Sequence, residues 1–419
     1  MRIFIFYPDT YVRVCGGRSV VMDTARGWHA IYPFALSQDE YPAWIDVTDE
    51  NRDAIGEMEA NGAGYALDCQ VPPFVPARKI HLGSSVTGSD GLTPYAEGFH
   101  TKSLLRRLNL HLHNSRRMDP AACRQLDYPE YNVCGRLPKP LLDFIVNEYE
   151  GELVLSGDVD DYMVSAILWP LRTWFENHKF GGRRCRVKVR TLCTAENVEW
   201  LAEMERGMNN LPIAKELILG RNYFPSDRQI KEYERIMFHG SFPDMLSLTL
   251  MVEGTNDIDE LTKRVEAKFA CRGNMPKVRK VPILYGEGSE NNVGVSHFAE
   301  MVAMLQMSEA DIFAGNRSMR RILQRQRANV GLLGTVSVDI GGDMWCGAQK
   351  VGSVADGDIY GLLNRWVHSR DCAWWQSRAR VAGCRGCLLR DLCPSVSVYE
   401  QMGILNRLNI CLHVLESSR

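Results

Sequence analysis

Five cysteines fall between Cys372 and Cys411, and the spacing of four of them is that of a ligand set. Cys384-Arg-Gly-Cys387 is a C-x2-C turn, tight enough to place two thiolates on one ion. Cys393 follows six residues later, and Cys411, in Asn409-Ile-Cys411, offers a fourth thiolate after a short excursion. Four thiolates at tetrahedral positions suit zinc or an iron–sulfur cluster, and ligand chemistry barely separates the two. The surroundings are Gly- and Arg-rich, which argues against thiols that are merely buried. The chain has thirteen cysteines in all, an odd number that does not read as a disulfide scaffold. Cys15, Cys69, Cys185, Cys193 and Cys271 are scattered singly, as packing thiols are.

Other groups are weaker candidates. His111 and His113 alternate along one strand, as metal ligands or as the polar end of that strand. Asp158, Asp160, Asp161 and Glu253 lie near strand C-termini, where barrel enzymes place their chemistry, but loop acids and a helix N-cap at Asp160 account for them more simply. Gly286-Glu-Gly288 is too fragmentary for a phosphate loop. The pairs Arg116-Arg117, Arg183-Arg184 and Arg320-Arg321 read as solvated surface, with capture of a peptide carboxylate as the second reading. Trp374-Trp375 is expected to cap the core of the tail. There is no Ser-His-Asp, His-Glu-x-x-His or Walker pattern.

The elements that must position these groups fall into three segments of a 419-residue chain, 45% hydrophobic and 24% charged. With 49 Lys plus Arg against 51 Asp plus Glu, the net charge is −2, which argues against a general nucleic-acid binder. No apolar run reaches the ~18–20 residues of a membrane span. The opening MRIFIFYPDTYVRV turns polar too early for a secretory signal, so a cytoplasmic protein is expected. Residues 1–75 read as a small β-rich unit: IFIFY, YVRVCG, SVVMDT and WHAIYP, then a helix over Thr48 to Asn61. A proline-rich connector spans Val71 to Lys79.

Residues 76–330 alternate strands (107–113, 152–157, 186–192, 215–220, 246–254 and 279–285) with helices (137–149, 160–179, 194–208, 226–239 and 257–271). That rhythm is the βαβ repeat of a parallel sheet, and six strands suit a partial (β/α)6 barrel better than a closed eight-stranded one. From 331 to 419 come a hairpin, VSVDIGGDMWC, a helix over Gly357 to His368, and the Cys-rich tail.

The hairpin, the segment GSVADGDIYGLL, CRGCLLRDLCPS and the final NIC resemble, across roughly Leu333 to His413, the SPASM domain that follows radical S-adenosylmethionine barrels. The partial barrel is that superfamily's catalytic fold. The resemblance implies an auxiliary [4Fe–4S] cluster on Cys384, Cys387, Cys393 and Cys411, with zinc as the other occupant. Ser397 stands where the family's next cysteine belongs, and only Cys346 and Cys372 remain to serve the family's other auxiliary cluster, which is therefore expected to be lost. The C-x3-C-x2-C loop is missing as well. After LNLHLHN the chain offers only Cys123 and Cys134, and the usual Gly-Gly-Glu reads Ser156-Gly157-Asp158.

The chain thus resembles the pseudo-radical-SAM proteins of Bacteroidales-type ribosomal peptide maturation systems. That implies no S-adenosylmethionine, no catalysis, and a precursor peptide or a radical-SAM enzyme as partner. SVVMDTARGWHAIYP resembles the winged-helix element that takes a leader peptide as an added strand. The alternative is an enzyme using non-radical chemistry at the barrel mouth, with Cys123, Cys134, His111 or the acids as ligands.

Overall fold

The computed structural model describes residues 1–69, 104–131, 136–160, 162–170, 186–207, 213–220, 246–269, 277–284, 307–315, 318–356 and 358–403, with a few short pieces between them. These form two compact units. One is drawn from Met1–Phe99, Gln306–Leu333 and Arg370–Arg419, the other from His100–Leu305 and Gly334–Ser369.

The first unit begins with two three-stranded antiparallel sheets. Strand β1 (Arg2–Phe6) lies between β5 (Trp44–Asp46) and β6 (Gly64–Asp68), while β2 (Thr10–Cys15), β3 (Arg18–Asp23) and β4 (His29–Tyr32) form a meander. The β2–β3 hairpin turns on Gly16 and Gly17 at φ 58° and 73°, the left-handed pair that a tight two-residue hairpin demands. One face buries Val12, Val14 and Val21 against Phe4, Phe6 and the helix Arg52–Ala60. The other puts Tyr11, Val20 and Met22 against Ile312, Phe313, Ile322, Leu388, Leu389 and Leu392. The tail therefore packs on the N-terminal meander, and Trp374 and Trp375 are fully buried in the same unit. Besides this, a short pair, β7 (Val86–Thr87) and β8 (Pro94–Tyr95), precedes the second unit.

In the second unit, β9 (Arg107–His111), β10 (Glu152–Ser156), β11 (Arg186–Leu192), β12 (Ile213–Leu219), β13 (Leu246–Val252) and β14 (Lys277–Pro282) pair in parallel, each beside its successor. This is a mixed α/β fold around a large parallel sheet. Of the intervening helices, Lys139–Asn147, Ala195–Gly207 and Thr255–Phe269 match the expected positions, and Tyr162–Leu168 is a π-helical stretch. The helices expected near 226–239 and beyond 170 lie outside the described residues.

The strand–turn–strand expected to open the Cys-rich third segment instead extends this sheet. Strand β15 (Thr335–Asp339) runs parallel to β9, Thr335 opposite Arg107 and Asp339 opposite His111, and β16 (Asp343–Cys346) and β17 (Gln349–Ser353) continue antiparallel. The physical reason is the bare edge of β9. Val336 and Val338 are fully buried opposite Leu108 and Leu110, and the backbone groups of that edge find partners. No described helix is long and apolar enough to cross a membrane.

Candidate functional site

The parallel sheet carries one polar face. Register partners in parallel strands point the same way, so Asn109 and Ser337, His111 and Asp339, His111 and Ser156, and Arg190 and Glu216 share a side. The loop after β9 returns to that face. Asp119 caps the helix Pro120–Leu126 by accepting the Ala121 N–H at 2.7 Å, and Pro120 presets its first turn. Asp127 ends the helix in the left-handed region, φ 55° and ψ 54°, a conformation Asp tolerates better than most side chains.

That cap delivers the Asp127 carboxylate to the sheet. Its Oδ1 accepts from His111 Nε2 at 2.9 Å and from Ser337 Oγ at 2.8 Å. Oδ2 accepts from Asn109 Nδ2 and faces Arg190 Nη1 at 3.6 Å. Burial works against the charge, but the His111 hydrogen bond and charge, the Arg190 charge and the Ser337 hydroxyl hold this carboxyl well below the usual carboxylate range.

Deeper in the face, Glu216 is buried and accepts from Lys188 Nζ at 2.9 Å, Arg190 Nη2 at 3.2 Å, Thr249 Oγ1 at 2.6 Å and Arg279 Nη2 at 3.4 Å. Burial alone would raise its carboxyl; the three cations and the Thr249 hydroxyl lower it to about 2. Three buried atoms of this face have no hydrogen-bond partner among the described residues: Asn109 Oδ1, Ser156 Oγ and Arg190 Nε.

At the C-terminal ends of β9 and β15 the face opens into a cavity of about 240 Å³. His111, Leu112, Ser337 and Asp339 form one side, Arg124 and Asp127 to Glu130 another, and Trp345, Gly347 and Ala348 of the β16–β17 hairpin the third. The helix Pro120–Leu126 also closes part of the molecule. Its Cys123 and Leu126, with Met118 and Tyr128, pack on Leu192, Ile218, Met251, Val281 and Ile283, at the C-terminal ends of β11 to β14. Cys123 is fully buried; burial first, then the charges of Glu130 and Asp119, push its thiol up to about 12.

The other residues singled out from sequence separate. His111 enters the site, and its partner is Asp127. Asp158 fastens loops: it accepts from the Ser115 N–H at 2.7 Å and Asn197 Nδ2 at 3.1 Å. It follows Gly157, whose φ is 145° and where a Cβ would lie only 2.5 Å from the His113 carbonyl oxygen, so no side chain fits. Asp160 caps the π-helical stretch through the Met163 N–H at 2.8 Å, the plainer of the two readings of that residue. Cys134, Asp161, Cys411, Arg183-Arg184 and Gly286 to Gly288 lie outside the described residues.

Of the tail cysteines, Cys384 is buried, and Cys387 and Cys393 are half-buried. Arg378 Nη1 lies 3.6 Å from Cys384 Sγ, and its charge also acts on Cys393. No three His, Cys, Asp or Glu side chains among the described residues are placed to hold an ion together.

Sequence reasoning missed Asp127, Arg190 and Glu216. The signal for the last two was present in the alternation Lys188-Val-Arg190 and in Glu216 inside an apolar strand. Asp127 gave none, because a left-handed cap is set by its contacts.

No family model matches the chain, and no curated protein does. Among solved structures the chain is similar to that of a hexahistidine-tagged anSMEcpe with bound AdoMet, at 12% identity and a TM-score of 0.44, covering 69% of this chain and 87% of that one.

Proposed function

We propose that this chain is a non-catalytic, radical-SAM-like protein with a SPASM-type tail, its parallel sheet an open (β/α)6 barrel, and that it binds a precursor peptide or a partner radical enzyme in ribosomal peptide maturation. The observation that carries the reading is the packing of Cys123. Where such an enzyme would present three cluster thiolates on an open loop, this chain has a capped helix seated on the apolar ends of β11 to β14. The Cys123 thiol is fully buried among those apolar side chains instead of standing on an open loop. Incubation of the full chain with reductant and S-adenosylmethionine is expected to give no 5′-deoxyadenosine, and calorimetry no binding of the cofactor. Steady 5′-deoxyadenosine production would sink the reading.

The tail is proposed to hold one [4Fe–4S] cluster, or zinc, on Cys384, Cys387, Cys393 and Cys411. The residue types suit thiolate ligation and the Arg378 guanidinium beside Cys384 would offset thiolate charge, while Cys384, Cys387 and Cys393 are not placed to share an ion in this structure. Bound there, the group would serve structurally, joining turns whose Leu388, Leu389 and Leu392 already pack on the meander. Metal analysis of anaerobically purified protein decides it, and iron and zinc both well below one site's worth per chain would remove the proposal.

A second reading rests on the His111–Asp127 pair. A carboxylate that fixes a histidine beside a cavity is an arrangement used in acid–base catalysis. Under this reading the protein alone would change the mass of a cognate peptide, and His111→Gln would abolish the change. An unchanged mass with the protein alone favours the non-catalytic assignment.

A further inference from the structure

The cavity beside Asp127 has a charge imbalance that its own residues leave open. Three carboxylates line it, Asp127, Glu130 and Asp339, against the Arg124 guanidinium and the His111 imidazole. Two are satisfied internally. Asp127 is saturated by His111, Ser337, Asn109 and Arg190, and Glu130 pairs with Arg124 Nε at 3.4 Å. Asp339 is different. One of its oxygens accepts the Asp343 N–H at 3.0 Å, and the residue makes no ion pair among the described residues.

The lining also includes Trp345, on the strand next to that of Asp339, and an aromatic ring attracts cations. The chain already shows the attraction: Lys350 Nζ lies 5.9 Å from the Trp345 ring centroid, is bonded to Asp343, and is also within the influence of Asp339. An excess of acceptors over donors calls for a ligand that only donates, and ammonium and guanidinium groups are of that kind. The remaining lining (Leu112, Tyr128 and Pro129) suits an alkyl stem. At about 240 Å³ the space falls below the ~300–1,000 Å³ of drug-sized sites, so it matches one long side chain or a small amine.

We propose that this cavity binds an organic cation, an ammonium or guanidinium on a short alkyl stem, with Asp339 as its counter-ion and Trp345 as its wall. The cation is either a Lys or Arg side chain of a bound peptide or a free diamine. The first source rests on the peptide-binding reading above; the second does not.

The test is saturation-transfer NMR and calorimetry on the full chain with four probes: Nα-acetyl-lysine methylamide, the arginine analogue, the norleucine analogue, which lacks the charge, and 1,5-diaminopentane. The cationic probes should bind about tenfold more tightly than norleucine, as a charge pair plus a cation–π contact would give. Asp339→Asn, which keeps the acceptor for the Asp343 N–H, should weaken them about three- to tenfold, and Trp345→Leu similarly, while neither changes norleucine binding. Tighter binding of the amino-acid probes assigns the site to a peptide side chain. Preference for the diamine assigns it to a free amine and removes only the peptide source. Equal binding of norleucine, no binding of any probe, or an Asp339→Asn variant indistinguishable from the parent would overturn the proposal. The absence of 5′-deoxyadenosine, which tests the non-catalytic reading, is unaffected by any of these results.

Discussion

Arg13 ties the tail's Cys-rich turns to β2. Its side chain is completely buried on β2, and its guanidinium donates to the carbonyls of Cys387, Leu388 at 3.3 Å and Arg385 at 3.3 Å while pairing with Glu40 at 2.9 Å. Replacing it with Met keeps most of the volume and removes every donor. The buried Leu388 carbonyl and the part-buried Cys387 carbonyl, which keeps the Arg390 N–H, then lose a charged partner, at about 1–3 kcal/mol each. The Glu40 pair adds little, because Glu40 is 44% exposed on its side chain. Burying a guanidinium carries its own desolvation cost, which the substitution recovers in part. The expected loss is therefore about 2–4 kcal/mol, local to the tail.

A chain of two units need not unfold in one step, so a global midpoint is the wrong measure. Native-state hydrogen exchange reads the segment directly, through amides such as Cys387 N–H, bonded to the Cys384 carbonyl, and Cys393 N–H, bonded to that of Leu389. At about 1.4 kcal/mol per tenfold, protection should fall roughly 30- to 1,000-fold in Arg13→Met. Arg13→Lys keeps the charge but cannot fork to three carbonyls, and should recover only part. Protection within about threefold of the parent in Arg13→Met would refute the reasoning. It would mean that the apolar contacts of Leu388, Leu389 and Leu392 alone hold the turns.

Two further outcomes follow from the sheet's polar face and the helix beside it. Glu216, lowered to about 2 in the fold, contributes stability that is present above its unfolded value near 4.5 and lost as pH falls toward 2. The effect is about 3 kcal/mol by linkage, and acid unfolding of Glu216→Gln should lack that step. Cys123, its thiol pushed up to about 12, should stay unlabelled by iodoacetamide at about pH 8 in the native chain and react once urea is added; peptide mass mapping checks it.

Most strands could be read from the sequence because they obey one rule. Leu108 and Leu110, Leu153 and Leu155, Val187 and Val189, and Leu248 and Leu250 are buried apolar pairs two residues apart, each inside a short run bounded by turn residues. The same spacing held the polar half of the message. Asn109, His111, Ser156, Lys188, Arg190, Glu216 and Thr249 occupy alternate positions, so the second face is mostly polar until Leu192, Ile218, Met251 and Val281 at the C-terminal ends of β11 to β14, and the signal for its ionic network, though missed, was present in the strands.

What could not be anticipated is set by pairs far apart in the chain. Ser337 reaches Asp127 across 210 positions, and Arg13 reaches Cys387 across 374. Thr335 to Asp339 reads as one arm of a hairpin, and that is correct for its antiparallel neighbour β16. Its other edge pairs with β9, more than two hundred residues earlier, because an unpaired edge there would leave buried backbone groups without partners. Local pattern specifies strands and the side of the sheet each residue takes. Which edge meets which, and hence where the cavity lies, is decided by the backbone and charge groups that remain unsatisfied once the strands exist. Asp339 and the three unpartnered atoms of Asn109, Ser156 and Arg190 are what this fold leaves over after that pairing is complete. A ligand that only donates would meet the one of these needs that lines the cavity, the Asp339 carboxylate, and that is the physical ground for seeking a cation there.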